Sequence, residues 1–173
     1  MIWLRAEPTT TRIFLNSNEG DTYGHSDETL AWFRQAMDSE RETYIFSHRK
    51  CSTTSTYHND AAMAEIIKNS ENFRMFFYGH VHYDCEFATP FAHESTPYLA
   101  FAQNAHKCYN HELKDTAPAE AVIPKRVVDT VDEDCFDIVV IRPHSRKVNL
   151  VRFGAGVDRE FNLKTGRSMG ESV

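Results

Sequence analysis

The sequence predicts an α/β chain, an open sheet with two helices followed by a β-rich tail. Three observations carry this. From Arg12 to Tyr78 the apolar runs follow the order strand, helix, strand, helix, strand, which favours right-handed crossovers and a locally parallel sheet. The third strand run, Phe73, Met75, Phe76, Phe77 and Tyr78, is apolar on both faces, as a central strand covered on two sides is. Beyond His82 the pattern changes to short β runs separated by polar turns.

The elements follow in order. Arg12-Ile13-Phe14-Leu15 reads as a short buried strand that ends at the polar run Asn16 to Gly20. Ser26 can accept from the orphan N–H groups of a helix over Asp27 to Asp38. Asp27 and Glu28 suit the positive end of that helix, and Leu30, Phe33 and Met37 form its apolar face. Thr43 to Phe46 makes the second strand and runs straight into Ser47-His48-Arg49-Lys50. Asn59 or Asp60 is expected to cap a second helix, which carries Met63, Ile66 and Ile67 inward and ends between Lys68 and Ser70. Short strands are expected at Tyr83 to Ala88, Tyr98 to Ala102, Ile138 to Ile141 and Val148 to Phe153, the last two as a hairpin across Arg142 to Lys147. Ala105 to Asp134 mixes prolines with many charges and carries no firm assignment.

Composition narrows the function classes. The 173 residues, 41% hydrophobic and 25% charged, suit one soluble domain. No stretch approaches the roughly 18 apolar residues of a membrane span, and Met1 to Pro8 is too short and too early-charged for a secretory signal. A cytoplasmic protein without a membrane partner is the expectation. Asp and Glu number 25 against 19 Lys and Arg, so there is no basic footprint for general nucleic-acid binding. Cys51, Cys85, Cys108 and Cys135 form no C-x-x-C pair, and reduced thiols are expected.

The chemistry concentrates in histidine, of which there are 9. Gly79-His80-Val81-His82 directly follows the apolar strand, so a glycine permits a tight turn while two imidazoles emerge together. His48, at the end of a neighbouring strand, can meet them, because ligands in open α/β sheets gather beyond the carboxyl ends of strands. By spacing alone the motif fits a surface pair as well as a ligand set. Arg49 and Lys50, beside His48, are candidates to hold a phosphate.

Four ordered landmarks resemble the calcineurin-like metallophosphoesterases: Ile13-Phe14-Leu15-Asn16-Ser17, Leu30-Ala31-Trp32-Phe33, Tyr44-Ile45-Phe46-Ser47-His48 and Phe77-Tyr78-Gly79-His80-Val81-His82. Cys135 to Ile141 and Arg152 to Glu160 are similar to a bacterial subgroup, so the likeness runs over roughly residues 11 to 162. The resemblance implies the C-terminal half of a four-layer α/β/β/α sandwich that hydrolyses phosphomonoesters or phosphodiesters. It also implies His48 and His80 on one metal and His82 on the other, with manganese, iron or zinc as the ions.

The earlier motifs of that family are absent. No Asp is followed two positions later by His, and no Gly-Asn-His occurs. Gly20-Asp21 looks like the bridging Gly-Asp motif but sits where the family has an ordinary loop; Asp21 is read as a turn residue, with a bridging ligand as the alternative. Two dications without a carboxylate bridge repel strongly, so one ion or none is expected here. The expected organisation is a poorly matched segment at 1–10, a partial metallophosphoesterase domain at 11–163 and a disordered tail at 164–173. A partial domain should leave its inner sheet face uncovered, around Phe73 to Tyr78 and Ile138 to Ile141, and so call for self-association or a partner. The expected substrate is a phosphorylated small molecule or a phosphodiester. The alternative is a degenerate, non-catalytic domain that binds a metal or a partner. Of the remaining residues, His58 is expected to cap a helix or face solvent. His25, His93, His106, His111 and His144 are expected at the surface, and Cys85 as a buried structural thiol. Arg152 and Arg159 flank what reads as a plain linking turn.

Overall fold

The computed structural model describes residues 9–18, 23–80, 86–87, 91–102, 121–122 and 127–163. Strand β1 (Thr10–Leu15), helix α1 (Asp27–Met37), strand β2 (Glu42–Ser47), helix α2 (Asp60–Asn69) and strand β3 (Phe73–Tyr78) come in the expected alternation. Short strands β4 (Glu86–Phe87), β5 (Phe91–His93), β6 (Thr96–Ala102) and β7 (Ala121–Val122) follow. The chain then forms β8 (Cys135–Arg142), β9 (Lys147–Gly154) and β10 (Arg159–Asn162).

The main sheet has the order β1-β2-β3-β6-β5. Its first three pairings are parallel, with α1 and α2 making the connections from β1 to β2 and from β2 to β3, and β5 closes the edge antiparallel to β6. A second sheet, β10-β9-β8, is antiparallel throughout. The hairpin between β8 and β9 turns through a short 3-10 segment at Pro143–Ser145, with Arg146 in the left-handed region. Strands β4 and β7 pair with each other.

Alternating side chains divide the core in two. Ile13, Leu15, Ile45, Phe76 and Tyr78 face the helices and meet Phe33, Met37, Met63 and Ile67. Burying one such side chain contributes about 1.5–3 kcal/mol. Tyr44, Met75 and Phe77 point the other way, onto Val148, Leu150, Phe161 and Leu163. The result is an α/β/β stack of a helical layer, a mostly parallel sheet and an antiparallel sheet.

Three expectations change here. Strand β3 is not left uncovered, because the chain's own second sheet covers its inner face, so Arg74 through Tyr78 are all buried. What stays open is the outer face of that second sheet, where Phe136, Ile138, Val151 and Phe153 are exposed and the Phe136 and Phe153 rings stack at 4.8 Å. Asn59 does not cap α2 through its side chain: its φ is +59°, and its Nδ2 instead donates to the His25 carbonyl and to Asp27 Oδ1. Ser26 caps α1 as expected, accepting from the Thr29 N–H at 3.1 Å. Arg152 and Arg159 do more than flank a turn: both clasp the fully buried Asp137 carboxylate, at 3.0 and 2.6 Å. Residues 1–8 and 164–173 lie outside the described residues, as do most of 103–126.

Candidate metal centre

Parallel register sets the site. Ser47 of β2 lies opposite Tyr78 of β3, so the next residues of both strands leave the sheet side by side. The Gly79 N–H donates to the His48 carbonyl at 3.1 Å and holds the two exits together. His80 then adopts φ +69°, a left-handed conformation uncommon outside glycine. His48 Nε2 comes within 3.1 Å of His80 Nδ1, and the two rings meet nearly edge to face at 82°. Both rings are exposed.

An open cleft of about 340 Å³ lies beside them, lined by Phe14, Leu15, Phe46, Ser47, His48 and Phe77 among others. Phe14, Phe46 and Phe77 are aligned across the three strands, with ring centroids at 5.0 and 4.8 Å. A larger groove, about 990 Å³, lies at the other end of the strands by the α1–β2 and α2–β3 connections and contains neither histidine.

The structure brings His48 and His80 together. His82 and Asp21 lie outside the described residues, as do Cys85, His106 and His111. Arg49 stacks its guanidinium on Tyr57, 3.9 Å from the ring centroid, with Tyr23 at 5.8 Å. Lys50 places Nζ 5.4 Å over the Tyr78 ring, and burial pulls its pKa below the usual lysine range. His58 is exposed as expected and meets Asp27 Oδ1 at 3.0 Å. The bonds from Asn59 and His58 hold the Asp27 carboxyl below its ordinary pKa.

His25 departs from expectation, since it is buried rather than at the surface. Its Nε2 lies 4.0 Å from Cys51 Sγ and 3.9 Å from Asp60 Oδ1, and the three donor atoms all fall within 4.8 Å of one another. Among the described residues this is the one group of three or more His, Cys, Asp or Glu donors so disposed. The three residues sit in the β1–α1 connection, just after β2 and at the first position of α2. No short motif links them. The available signal was positional, because each lies near the carboxyl end of the parallel strands, where ligands collect.

No protein-family model matches the chain, and no curated protein matches it. Among solved structures the chain is similar to a dimetal phosphatase from Danio rerio, with 14% identity and a TM-score of 0.44, over 84% of this chain and 40% of that one. The chain thus spans less than half the length of that phosphatase.

Proposed function

We propose that the chain is the C-terminal portion of a metal-dependent phosphoesterase acting on a phosphomonoester or phosphodiester, and that by itself it is inactive or nearly so. The observation that supports this best is the 3.1 Å approach of His48 Nε2 to His80 Nδ1 where adjacent parallel strands end. Adjacent donors around a tetrahedral ion with bonds of about 2.0–2.1 Å stand roughly 3.3 Å apart, so the two ring nitrogens fit one ion. Neutral imidazole suits iron and zinc, and manganese is a further candidate by the family resemblance. His48 and His80 would hold that ion, with His82 assigned to a second by the family resemblance. A bound divalent ion polarises a phosphoryl oxygen and lowers the pKa of its water.

The chain's own residues supply the rest. Two uncharged ligands leave the cation's charge available to a phosphate. Arg49, next in sequence to His48, is held flat on Tyr57 and offers a planar fork to phosphate oxygens. Lys50 adds a second positive charge to the same loop. The Asp-x-His and Gly-Asn-His motifs of the family it resembles are absent from the sequence, and this is the ground for expecting one weakly held ion and little turnover. A second reading is a domain that holds a metal or a partner and catalyses nothing.

Inorganic phosphate distinguishes the two readings. With manganese added, the phosphoesterase reading expects paramagnetic broadening of the phosphorus resonance that His80→Ala removes. No broadening beyond that of free manganese leaves the binding-domain reading. Robust hydrolysis of a phosphodiester by the purified chain, abolished by His80→Ala, would overturn the proposed inactivity.

A further inference from the structure

We infer that His25, Cys51 and Asp60 form a buried mononuclear site for a borderline-soft divalent cation, zinc being the best fit, separate from the His48–His80 pair and independent of its reading. Three features carry this. First, the donors converge on one point. The separations of 4.0 and 3.9 Å, with the third at most 4.8 Å, place a common centre within roughly 2.5 Å of each atom, a few tenths of an ångström beyond zinc–donor bonds of about 2.0–2.3 Å. The same nitrogen, His25 Nε2, faces both the thiol and the carboxylate. A nucleophile–histidine–acid relay uses opposite ring nitrogens, so this arrangement suits coordination and not a thiol triad.

Second, the charges close. One thiolate and one carboxylate neutralise a dication, and a neutral cluster is the kind that tolerates burial. Residue exposures are 2% for His25, 0% for Cys51 and 4% for Asp60. Binding replaces the Cys51 thiol proton, which leaves to solvent. Thiolate, imidazole and carboxylate together form a set that zinc accepts in tetrahedral sites, with solvent as fourth ligand.

Third, the ligands are held by their surroundings. The His25 N–H donates to the His58 carbonyl at 2.9 Å, and the His25 carbonyl accepts from Asn59 Nδ2 at 3.0 Å. The Tyr98 hydroxyl donates to the Cys51 carbonyl at 2.5 Å. The Ser52 N–H donates to Asp60 Oδ2 at 3.3 Å, which leaves Oδ1 turned toward His25. Supporting bonds of this kind orient metal ligands. An ion here would tie the β1–α1 connection, the loop that carries His48 and the start of α2 into one unit.

The test uses the full chain with His48→Ala and His80→Ala, so that the exposed pair is removed. After incubation with zinc and desalting, one zinc per chain is expected, and X-ray absorption should show one sulfur at about 2.3 Å. No retained zinc, or a shell without sulfur, overturns the site in favour of a His25–Asp60 ion pair beside a neutral thiol. Cys51→Ser should remove the sulfur shell and weaken zinc binding by roughly tenfold or more; a sulfur shell that survives it assigns the ion elsewhere and overturns the proposal. Should Cys51→Ser fail to fold, alkylation of the unaltered chain in mild urea decides by peptide mass spectrometry. Zinc is expected to slow labelling of Cys51 by roughly tenfold or more while leaving Cys135 unchanged, and equal Cys51 rates with and without zinc refute it.

Discussion

His48 Nε2 and His80 Nδ1 lie 3.1 Å apart because Ser47 and Tyr78 stand opposite each other in parallel register and the Gly79 N–H ties the two strand exits together. The second ring reaches its partner only through a left-handed backbone at His80, φ +69°. That conformation costs an ordinary side chain about 1–2 kcal/mol. His80→Gly should therefore be more stable than His80→Ala by about 1 kcal/mol in urea unfolding. Equal stability of the two variants would mean that the turn is not strained.

Gly24 has φ +122°, and a Cβ there would run into the His58 backbone. The close approach is what lets the His25 N–H reach the His58 carbonyl. Gly24→Ala should cost about 2 kcal/mol or more, read from the urea midpoint at unchanged slope. A loss under half of that would show the connection can move aside.

The Asp137 side chain is fully buried between Arg152 and Arg159, and burial brings the Arg159 pKa down to about 10. Asp137→Asn removes the charge that both guanidinium groups clasp, and a loss of about 3–5 kcal/mol is expected from chemical denaturation. A near-neutral substitution would show that solvent reaches the arginines.

The Asp27 carboxyl is held below its ordinary value of 3.8, first by the Asn59 bond and then by His58. A depressed folded-state pKa means that the linkage favours the ionised form. Its contribution is fully present above the unfolded value and is lost as pH falls through the folded one. In a carboxyl NMR titration, Asn59→Ala should move the Asp27 midpoint upward, toward 3.8. An unmoved midpoint would remove Asn59 as the cause.

On the second sheet, Phe136, Ile138, Val151 and Phe153 leave an apolar outer face, and β8 is one of its two edge strands. Exposed apolar edges invite pairing. Sedimentation velocity should show self-association that Ile138→Lys weakens. A strictly monomeric wild-type chain would contradict it.

Much of the helical layer was legible because its signals are local. Ser26 before Asp27 marks a helix start, and the run Phe73 to Tyr78, apolar on both faces, marks a central strand, though not what covers it. What was not legible depends on distant closure. The cover for Met75 and Phe77 comes from Val148, Leu150 and Phe161, far along the chain, so the sheet looked bare from its own sequence. Joining β6 to β3 in parallel requires a crossover that no local period encodes. His25 read as a surface residue because its burial arises only when three separate connections fold onto one another. Asn59 looked like a cap since its side chain suits one, yet its left-handed backbone sends the amide to His25 and Asp27. The His48–His80 approach followed from placing both residues at neighbouring strand ends, whereas His82 lies outside the described residues.

The most direct test of the metal reading is a manganese titration of the full chain followed by electron paramagnetic resonance, because manganese favours oxygen and nitrogen donors over the thiolate at Cys51. At most one weakly bound ion per chain is expected, and its binding should be lost in both His48→Ala and His80→Ala. Manganese binding that neither substitution changes would contradict it.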